Sequence, residues 1–168
     1  MKRVMFDTSI YGKLVEDKDV FNEVDKKSEN HEFVIYGTQI IRNELRATLK
    51  SATYEKRKLR ILLLNVYDNF VKEENRDLKF NKLVETLAVD YFMEYKKNKG
   101  SLSNEAIRND LIIIATATIY QLDIVISDDE KTMLADNLLY SYKLVNKRYG
   151  IKDPIFKKYS QFKKELLR

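Results

Sequence analysis

The sequence predicts an α/β protein with a central parallel β-sheet and helices on both of its faces. The main observation is the stretch of residues 109–129, in which an apolar helix leads into the uninterrupted β-branched run Ile124–Ile126. Small residues such as Ala115 let the helix lie close to a sheet, and a continuous apolar run is typical of a strand covered on both faces. Two further short apolar runs, at residues 4–6 and 33–36, alternate with helical patterns, as expected for such a sheet.

The amino-terminal part contains the first predicted strand and two helices. Residues 2–6 form the strand, and the next three residues, Asp7, Thr8 and Ser9, are all good helix caps. The side chains that follow have helical spacing. Residues 17–30 are polar, with apolar residues at helical spacing, which predicts a short amphipathic helix.

A second strand is predicted at residues 33–36, and Gly37 ends its apolar run. Thr38 is a good cap for the helix that comes next. Glu44 directly precedes Leu45, which belongs to the apolar face of that helix. We therefore expect Glu44 at the border of the buried stripe, close enough to reach over the end of the sheet.

Two amphipathic segments follow, at residues 54–70 and 80–95. In both, apolar residues recur three and four positions apart, which is typical of a helix with one buried face. The polar residues 72–79 between them predict a turn. We therefore predict a helical hairpin over residues 54–95, whose apolar stripes lie in the core or in part at a dimer interface.

The carboxyl-terminal part is predicted to be mainly helical. A polar loop at residues 96–104 provides caps for the helix after it. Residues 130–145 have helical spacing, and Gly150 ends this segment, but residues 143–146 also fit a last edge strand, so both alternatives stay open. Pro154 favours the first turn of a terminal basic helix.

The composition is that of one globular domain. The chain has 168 residues, of which 44% are hydrophobic and 34% charged, so it is long enough for a core of its own. We expect a single domain over residues 1–168, with a basic helical extension from about residue 151. No apolar stretch reaches a membrane-spanning length and no secretory segment opens the chain, which favours a cytoplasmic location.

The residue types also limit the chemistry. Without cysteine, neither a disulfide nor a thiolate metal site can form. The one histidine, His31, fits a surface turn and excludes any site that needs several imidazoles. If the protein is an enzyme, carboxylates with a hard metal ion are the chemistry that remains.

The positive charge is concentrated at the carboxyl end. Residues 143–168 contain nine Lys and Arg against two acids, a balance of +7, whereas the whole chain carries +5. A basic region beside an acidic site suits a polyanionic substrate, such as nucleic acid, better than a small phosphate ester. A solvated, lysine-rich helix face is the alternative.

Four acids stand at the ends of predicted elements or at the border of a stripe: Asp7, Glu44, Asp110 and Asp129. Taken singly, each fits an ordinary role as a helix cap, a first-turn charge, a solvated side chain or a turn residue. Because ligands of parallel sheets bind beyond the carboxyl ends of the strands, we expect Asp128 and Asp129 to project where ligands bind, and the question is whether the other acids meet them there.

The order and context of the four acids resemble those of the PIN domain family, which includes the VapC-like toxin ribonucleases of toxin–antitoxin systems. The likeness extends from the first strand to about residue 135. The sequences that carry it are Val4-Met5-Phe6-Asp7-Thr8-Ser9, Ile40-Ile41-Arg42-Asn43-Glu44-Leu45, Asp110-Leu111-Ile112-Ile113-Ile114-Ala115-Thr116-Ala117 and Ile124-Val125-Ile126-Ser127-Asp128-Asp129. The resemblance implies a three-layer α/β fold, in which residues 54–95 would be an enlarged version of the family's middle helices.

The same resemblance implies that Asp7, Glu44 and Asp110 are the central metal ligands. Asp129 would be the fourth acid, with Asp128 as the rival. Oxygen ligands favour Mg²⁺ or Mn²⁺. The resemblance also implies a metal-dependent endoribonuclease, with RNA preferred to DNA, and suggests an antitoxin protein and a homodimer as partners.

Two departures from the family pattern concern neighbours of the acids. Ser9 stands where many members have Asn, so a hydrogen-bonding role is expected for its hydroxyl. The aromatic residue that often follows the last acid is replaced by Lys131-Thr132-Met133, which loosens the alignment of that acid.

Other protein classes fit the sequence less well. A haloacid-dehalogenase-type phosphatase needs a second Asp where this chain has Ser9, and a receiver domain needs adjacent acids near the amino terminus. The main alternative to the nuclease is a PIN-like module that binds RNA or a protein without cutting.

Overall fold

The computed structural model of the protein describes residues 1–71 and 74–168. In these residues the strands are β1 (Lys2–Phe6), β2 (Phe33–Thr38), β3 (Thr53–Tyr54), β4 (Arg57–Lys58), β5 (Asp77–Leu78), β6 (Ile124–Ile126) and β7 (Ile155–Lys157). The α-helices are α1 (Thr8–Glu16), α2 (Lys18–Glu29), α3 (Gln39–Ala47), α4 (Leu59–Phe70), α5 (Lys82–Lys97), α6 (Asn104–Ile119), α7 (Asp136–Tyr149) and α8 (Tyr159–Leu166). None of these helices is long and apolar enough to cross a membrane.

A five-stranded sheet forms the centre of the molecule, in the order β5-β2-β1-β6-β7. All four of its strand pairings are parallel, which confirms the predicted sheet. In the register, Val4 of β1 lies between Ile35 of β2 and Ile124 of β6. Because the chain leaves β1 towards β2 and later returns to β6 on the other side, the crevice between β1 and β6 is the switch point where such sheets bind ligands.

Helices cover both faces of the sheet, as predicted. The first four helices and α8 contact one another on one face, whereas α5, α6 and α7 pack together on the other. The two faces have separate aromatic clusters. Phe6 contacts Tyr11 and Phe162 edge-to-face on the first side, and Tyr91 contacts Tyr142 on the second. Ala115 is fully buried, in agreement with a helix lying close to the sheet.

The predicted helical hairpin over residues 54–95 is wrong. Both helices exist, but α4 packs against α1 and α3, whereas α5 packs against α6 and α7 on the opposite face. The chain changes face at β5, an edge strand within the predicted turn of residues 72–79; residues 72 and 73 of that turn lie outside the described residues. An apolar stripe shows that a helix is buried, but it does not show against which layer.

The first of these helices also begins later than predicted. Residues 53–58 form the antiparallel hairpin of β3 and β4, and α4 starts at Leu59. The two turn residues of the β3–β4 hairpin, Glu55 and Lys56, both have positive φ, 47° and 64°, as a two-residue type I′ turn requires. Neither is a glycine or an asparagine, so the sequence gives little sign of the turn.

Strand β2 is longer than predicted, because it continues through Gly37 to Thr38. A side chain at Gly37 would collide with the ring of Tyr67, since an added Cβ would lie 2.2 Å from the hydroxyl oxygen. That hydroxyl donates a hydrogen bond of 3.2 Å to the carbonyl oxygen of Thr38. The lack of a side chain at Gly37 therefore lets α4 approach the strand closely, and Gly37 does not end β2.

The carboxyl-terminal part differs from the prediction in one element. Residues 143–146 belong to α7, which ends at Gly150 in the left-handed conformation, so the helical alternative is correct. The last strand is instead β7, directly after Pro154, where a helix was predicted to start. Its backbone continues the ladder beside β6, and the terminal helix begins only at Tyr159. Tertiary pairing outweighs the helix-start signal of the proline.

Candidate active site

The four acids predicted from the sequence line one cleft at the carboxyl edge of the sheet. Asp7 follows β1, Asp129 follows the neighbouring strand β6, Glu44 lies in α3, and Asp110 is the seventh residue of α6. The cleft has a volume of 630 Å³. The residues that line it are Asp7, Thr8, Ser9, Glu44, Glu105, Ala106, Arg108, Asn109, Asp110, Asp129 and Thr132.

Asp7 is buried, with 6% of its surface exposed, and two serine hydroxyls hold its Oδ2 atom. Ser127 donates a hydrogen bond of 2.8 Å and Ser9 one of 3.0 Å to this oxygen. The two hydroxyls in turn accept from the backbone amides of Asp129 and Asp128. Burial raises the pKa of Asp7, although the serine hydrogen bonds oppose this effect. The expected hydrogen-bonding role of Ser9 is thus present, and Asp7 is not an ordinary side-chain helix cap.

Glu44 is fixed by hydrogen bonds at both carboxylate oxygens. The hydroxyl of Thr8 donates to Oε2 at 2.5 Å, and the amide of Asn109 donates to Oε1 at 2.7 Å. The two donors are sequence neighbours of Asp7 and Asp110, so they tie α3 to the elements that carry the other acids. Glu44 is therefore not simply a solvated side chain.

Asp110 has the most perturbed carboxyl group of the four. Burial, reinforced by repulsion from Asp7, Asp129 and Glu44, raises its pKa to about 7, although the nearby Thr132 hydroxyl lowers it. Near neutral pH the carboxyl is thus partly protonated before any cation binds. Carboxylates that repel one another in a partly buried cleft are typical of functional sites.

Asp129, and not Asp128, faces the cleft. Oδ1 of Asp129 accepts hydrogen bonds of 3.0 Å from the amides of Lys131 and Thr132, and its Oδ2 accepts one of 2.6 Å from the Thr132 hydroxyl. The side chain thus also stabilises the turn before α7. Asp128 is exposed, and its Oδ1 accepts a hydrogen bond of 2.9 Å from the amide of Tyr159 at the start of α8.

The donor set of the cleft fits a hard divalent cation. Its ligands would be carboxylate oxygens. Burial and, to a smaller extent, mutual repulsion raise the pKa of Asp110, and a bound cation would relieve that repulsion. Within residues 1–71 and 74–168, however, no three acids lie close enough together to hold one ion as they stand. Binding an ion would therefore require rotation of side chains such as Asp129, which now hydrogen-bonds to Thr132.

None of the Lys and Arg residues of the carboxyl end, residues 143–168, lines the cleft. Lys158 pairs with Glu130 at 2.9 Å, and Lys163 pairs with Asp17 at 2.5 Å. These pairs join the terminal segment to the rest of the molecule. Among the residues that line the cleft, Arg108 is the one cation. Its guanidinium makes no hydrogen bond or ion pair with the described residues.

Several polar residues of the site carried no functional signal in the sequence. Thr8 stood out only as a cap candidate, and Asn109 and Thr132 were not singled out for any role, because their hydrogen-bond partners are set by the fold. Thr8 is 36 positions from Glu44, for example. His31, predicted to lie in a surface turn, is exposed and lies in a turn, which confirms that prediction.

The fold and the cleft define an α/β protein of PIN-like architecture with an acidic crevice at the switch point of its sheet. The chain is similar to one in the crystal structure of VapBC2 from Rickettsia felis bound to a DNA fragment from their promoter, with a TM-score of 0.59 at 14% sequence identity. The match covers 94% of this chain and 98% of the other. No protein-family model and no curated protein matches the sequence. The likeness is therefore one of fold, and it agrees with the predicted architecture.

Proposed function

We propose that the protein is a metal-dependent endoribonuclease that hydrolyses phosphodiester bonds in the acidic cleft. The observation that carries this proposal is the meeting of four carboxylates, from four separate elements, in one cleft at the switch point of the sheet. An acidic crevice with neither cysteine nor histidine among its lining residues leaves hydrolysis assisted by a cation as the chemistry it suits best. RNA is preferred as the substrate because of the PIN resemblance.

Mg²⁺ or Mn²⁺ would be held by Asp7, Glu44, Asp110 and Asp129. Such a cation, when bound, lowers the pKa of a water and stabilises charge on phosphate oxygens. The chain's own residues prepare the cleft for it. Ser9, Thr8 and Asn109 hold the carboxylates of Asp7 and Glu44 in place by hydrogen bonds.

A PIN-like module that binds RNA or protein without cutting is the second candidate. It is favoured by one observation, that no three acids among the described residues are arranged to hold an ion as they stand. In that case the cleft would serve as a recognition surface, and its carboxylates would accept hydrogen bonds from a ligand.

The similar Rickettsia felis structure is of a VapBC2 complex with promoter DNA. By this likeness we propose that the protein acts as the toxin of a toxin–antitoxin pair, as a homodimer in the cytoplasm, and that an antitoxin protein neutralises it. Expression of the chain alone should then arrest growth, and Asp110→Asn should relieve the arrest. Equal toxicity of both forms would contradict the toxin role.

Cleavage of a labelled single-stranded RNA by purified protein tests the enzyme directly. Wild type, Asp110→Asn and the control Asp136→Asn are compared in Mn²⁺, Mg²⁺ or EDTA; Asp136 is an exposed carboxylate outside the cleft. We expect cutting by wild type and Asp136→Asn with either metal, and none by Asp110→Asn or in EDTA. RNA binding without cutting, in all metals and over a panel of RNAs, would favour the non-catalytic module.

A further inference from the structure

A second groove adjoins the acidic cleft on the face covered by α5 and α6. It has a volume of 260 Å³, just below the roughly 300 to 1,000 Å³ of sites for drug-sized ligands. A space of this size suits one flat ring system better than a folded chain. The groove is lined by Phe80, Glu85, Ala88, Val89, Phe92, Asn104, Arg108, Leu111 and Ile112.

Arg108 connects the groove to the cleft, because it lines both. Leu111 and Ile112 are its neighbours on α6 three and four positions along, and they form the floor of the groove. The guanidinium makes no ion pair with the described residues although the cleft is acidic. A planar cation without a partner is suited to bind a phosphate group that lies between the two spaces.

The walls of the groove are largely aromatic and apolar, and the one acid that lines it, Glu85, pairs with Lys82 at 3.0 Å. Phe80 is 52% exposed and Val89 is 51% exposed, while Phe92 is only partly buried. Since α5 and α6 are joined by a short loop and pack closely, they run antiparallel, so Phe92 lies nearer the Arg108 end. Asn104 lines the same space, and its side-chain amide makes no hydrogen bond to the described residues.

We propose that this groove binds a nucleobase of the RNA substrate beside the scissile phosphate. Phe92 and Phe80 contact the base, Arg108 binds the adjacent phosphate, and the amide of Asn104 is available to the base edge. Aromatic side chains next to a cation are how proteins bind single-stranded nucleic acid, because every base has a face that stacks. The inference rests on the proposed function for the identity of the ligand as RNA.

The test is RNA binding in EDTA, which does not depend on cutting. The probes are a fluorescein-labelled, mixed-sequence single-stranded RNA and the same backbone with abasic residues throughout. Phe92→Leu keeps apolar volume but loses the ring, and Phe80→Ala changes an exposed side chain, so both should fold. We expect both variants to bind the base-containing RNA roughly 5- to 150-fold more weakly, and the abasic strand as wild type does.

Two further variants make the comparison specific. Phe92→Tyr keeps a ring and should bind like wild type. Tyr140→Ala removes an aromatic side chain of equal exposure, 53%, that lines neither space, and it should also bind like wild type. Thermal melting of each variant confirms that it is folded.

Four outcomes decide the inference. Unchanged affinity of Phe92→Leu and Phe80→Ala overturns it, as does equal weakening on the abasic strand, which would mean that the groove holds the backbone. A variant that turns a dimer into a monomer without altering RNA affinity also overturns it, because the groove would then be an interface between two copies. If wild type binds the base-containing RNA more tightly than the abasic strand but cuts neither, the proposed enzymatic activity is wrong and the base-binding site is supported.

Discussion

The side-chain amide of Asn109 donates a hydrogen bond of 2.7 Å to Oε1 of Glu44, and so joins α6 to α3. The other oxygen of the same carboxylate accepts from Thr8. Asn109 directly precedes Asp110, and Thr8 directly follows Asp7. The orientation of one acid in the cleft therefore depends on neighbours of two others, so the four carboxylates are positioned together.

Asn109→Ala should lower RNA cleavage by roughly 10- to 100-fold, the usual effect of removing a residue that orients a metal ligand. The reason is that Oε1 of Glu44 loses its hydrogen-bond donor, so the carboxylate can rotate. Cleavage should be measured against metal concentration, and the variant should need more Mg²⁺ for half-maximal rate. Asn43→Ala is the matched control. Asn43 is exposed on α3, the helix that carries Glu44, and its side chain accepts a hydrogen bond from Gln39. Equal loss in the two variants would contradict the positioning role.

Asp129→Asn and Asp128→Asn form a pair that separates the two candidates for the fourth acid. Asp129 lines the cleft and Asp128 does not, so the first change should reduce cleavage by roughly 10- to 100-fold and the second should leave it near wild type. Because Asp129 also bonds to Thr132, the melting temperature of each variant must be compared with wild type. The reverse ranking of the two variants would assign the role to Asp128.

Divalent cations should stabilise the protein against heat. An ion that binds only the folded state adds about 2.7 kcal/mol to the free energy of unfolding at a concentration of about 100 times its dissociation constant. Melting is followed with Mg²⁺ or Mn²⁺ and with NaCl of equal ionic strength, for wild type and Asp110→Asn. The divalent ion should raise the melting temperature of wild type and raise that of the variant much less. The same increase in both would mean that the ion binds elsewhere.

The stability of the metal-free protein should fall as pH rises towards neutral. The pKa of Asp110 is about 7 in the folded protein against 3.8 as the unperturbed value, so the folded state holds this proton more tightly. The resulting stabilisation is complete below about pH 4 and is lost as the pH rises through 7. The free energy of unfolding falls by at most roughly 4 kcal/mol over this range. Burial raises the pKa of Asp7 in the same direction.

Urea denaturation in EDTA measures this effect, at about pH 5 and about pH 8. Asp110→Asn removes the titrating group. The free energy of unfolding of the variant, relative to that of wild type, should therefore be higher at about pH 8 than at about pH 5. A difference between variant and wild type that is the same at both pH values would contradict the raised pKa of Asp110.

Tyr142→Phe should leave the free energy of unfolding unchanged or raise it by up to about 3 kcal/mol. The hydroxyl of Tyr142 is buried and has no hydrogen-bond partner among the described residues. Tyr91→Phe is the contrasting change, because the Tyr91 hydroxyl donates to Asn146 at 2.6 Å, and its loss leaves a buried acceptor unpaired. It should cost about 1 to 3 kcal/mol. Chemical denaturation gives both values, and a destabilised Tyr142→Phe would reveal an unseen partner of that hydroxyl.

The central strands could be predicted from the sequence because each is covered on both faces. β1, β2 and β6 consist largely of buried apolar residues, and short β-branched runs of this kind are typical of buried parallel strands. The two edge strands have no comparable pattern. β5 has only two residues, and β7 has one exposed and two partly buried side chains without alternation, so pairing with a neighbouring strand determines their structure.

The acids of the cleft could be predicted because each stands at the end of a recognisable element or at the border of an apolar stripe. Their relation to one another could not, since Asp110 and Glu44 are brought together only by the packing of α6 near α3. The same holds for Arg108, which resembles any other exposed helix residue in the sequence. Its position between two cavities follows from the tertiary structure alone.

Both borders of the sheet are closed by very short strands, β5 with two residues and β7 with three. An open strand border exposes unpaired amides and carbonyls, which recruit other chains into amyloid-like stacks or domain-swapped pairs. Here Pro154, just before β7, has no backbone N–H to donate. The Lys157 ammonium of β7 pairs with Glu165 of α8. The fold thus offers little template for strand-by-strand self-association, which favours the folded chain over aggregates at high local concentration.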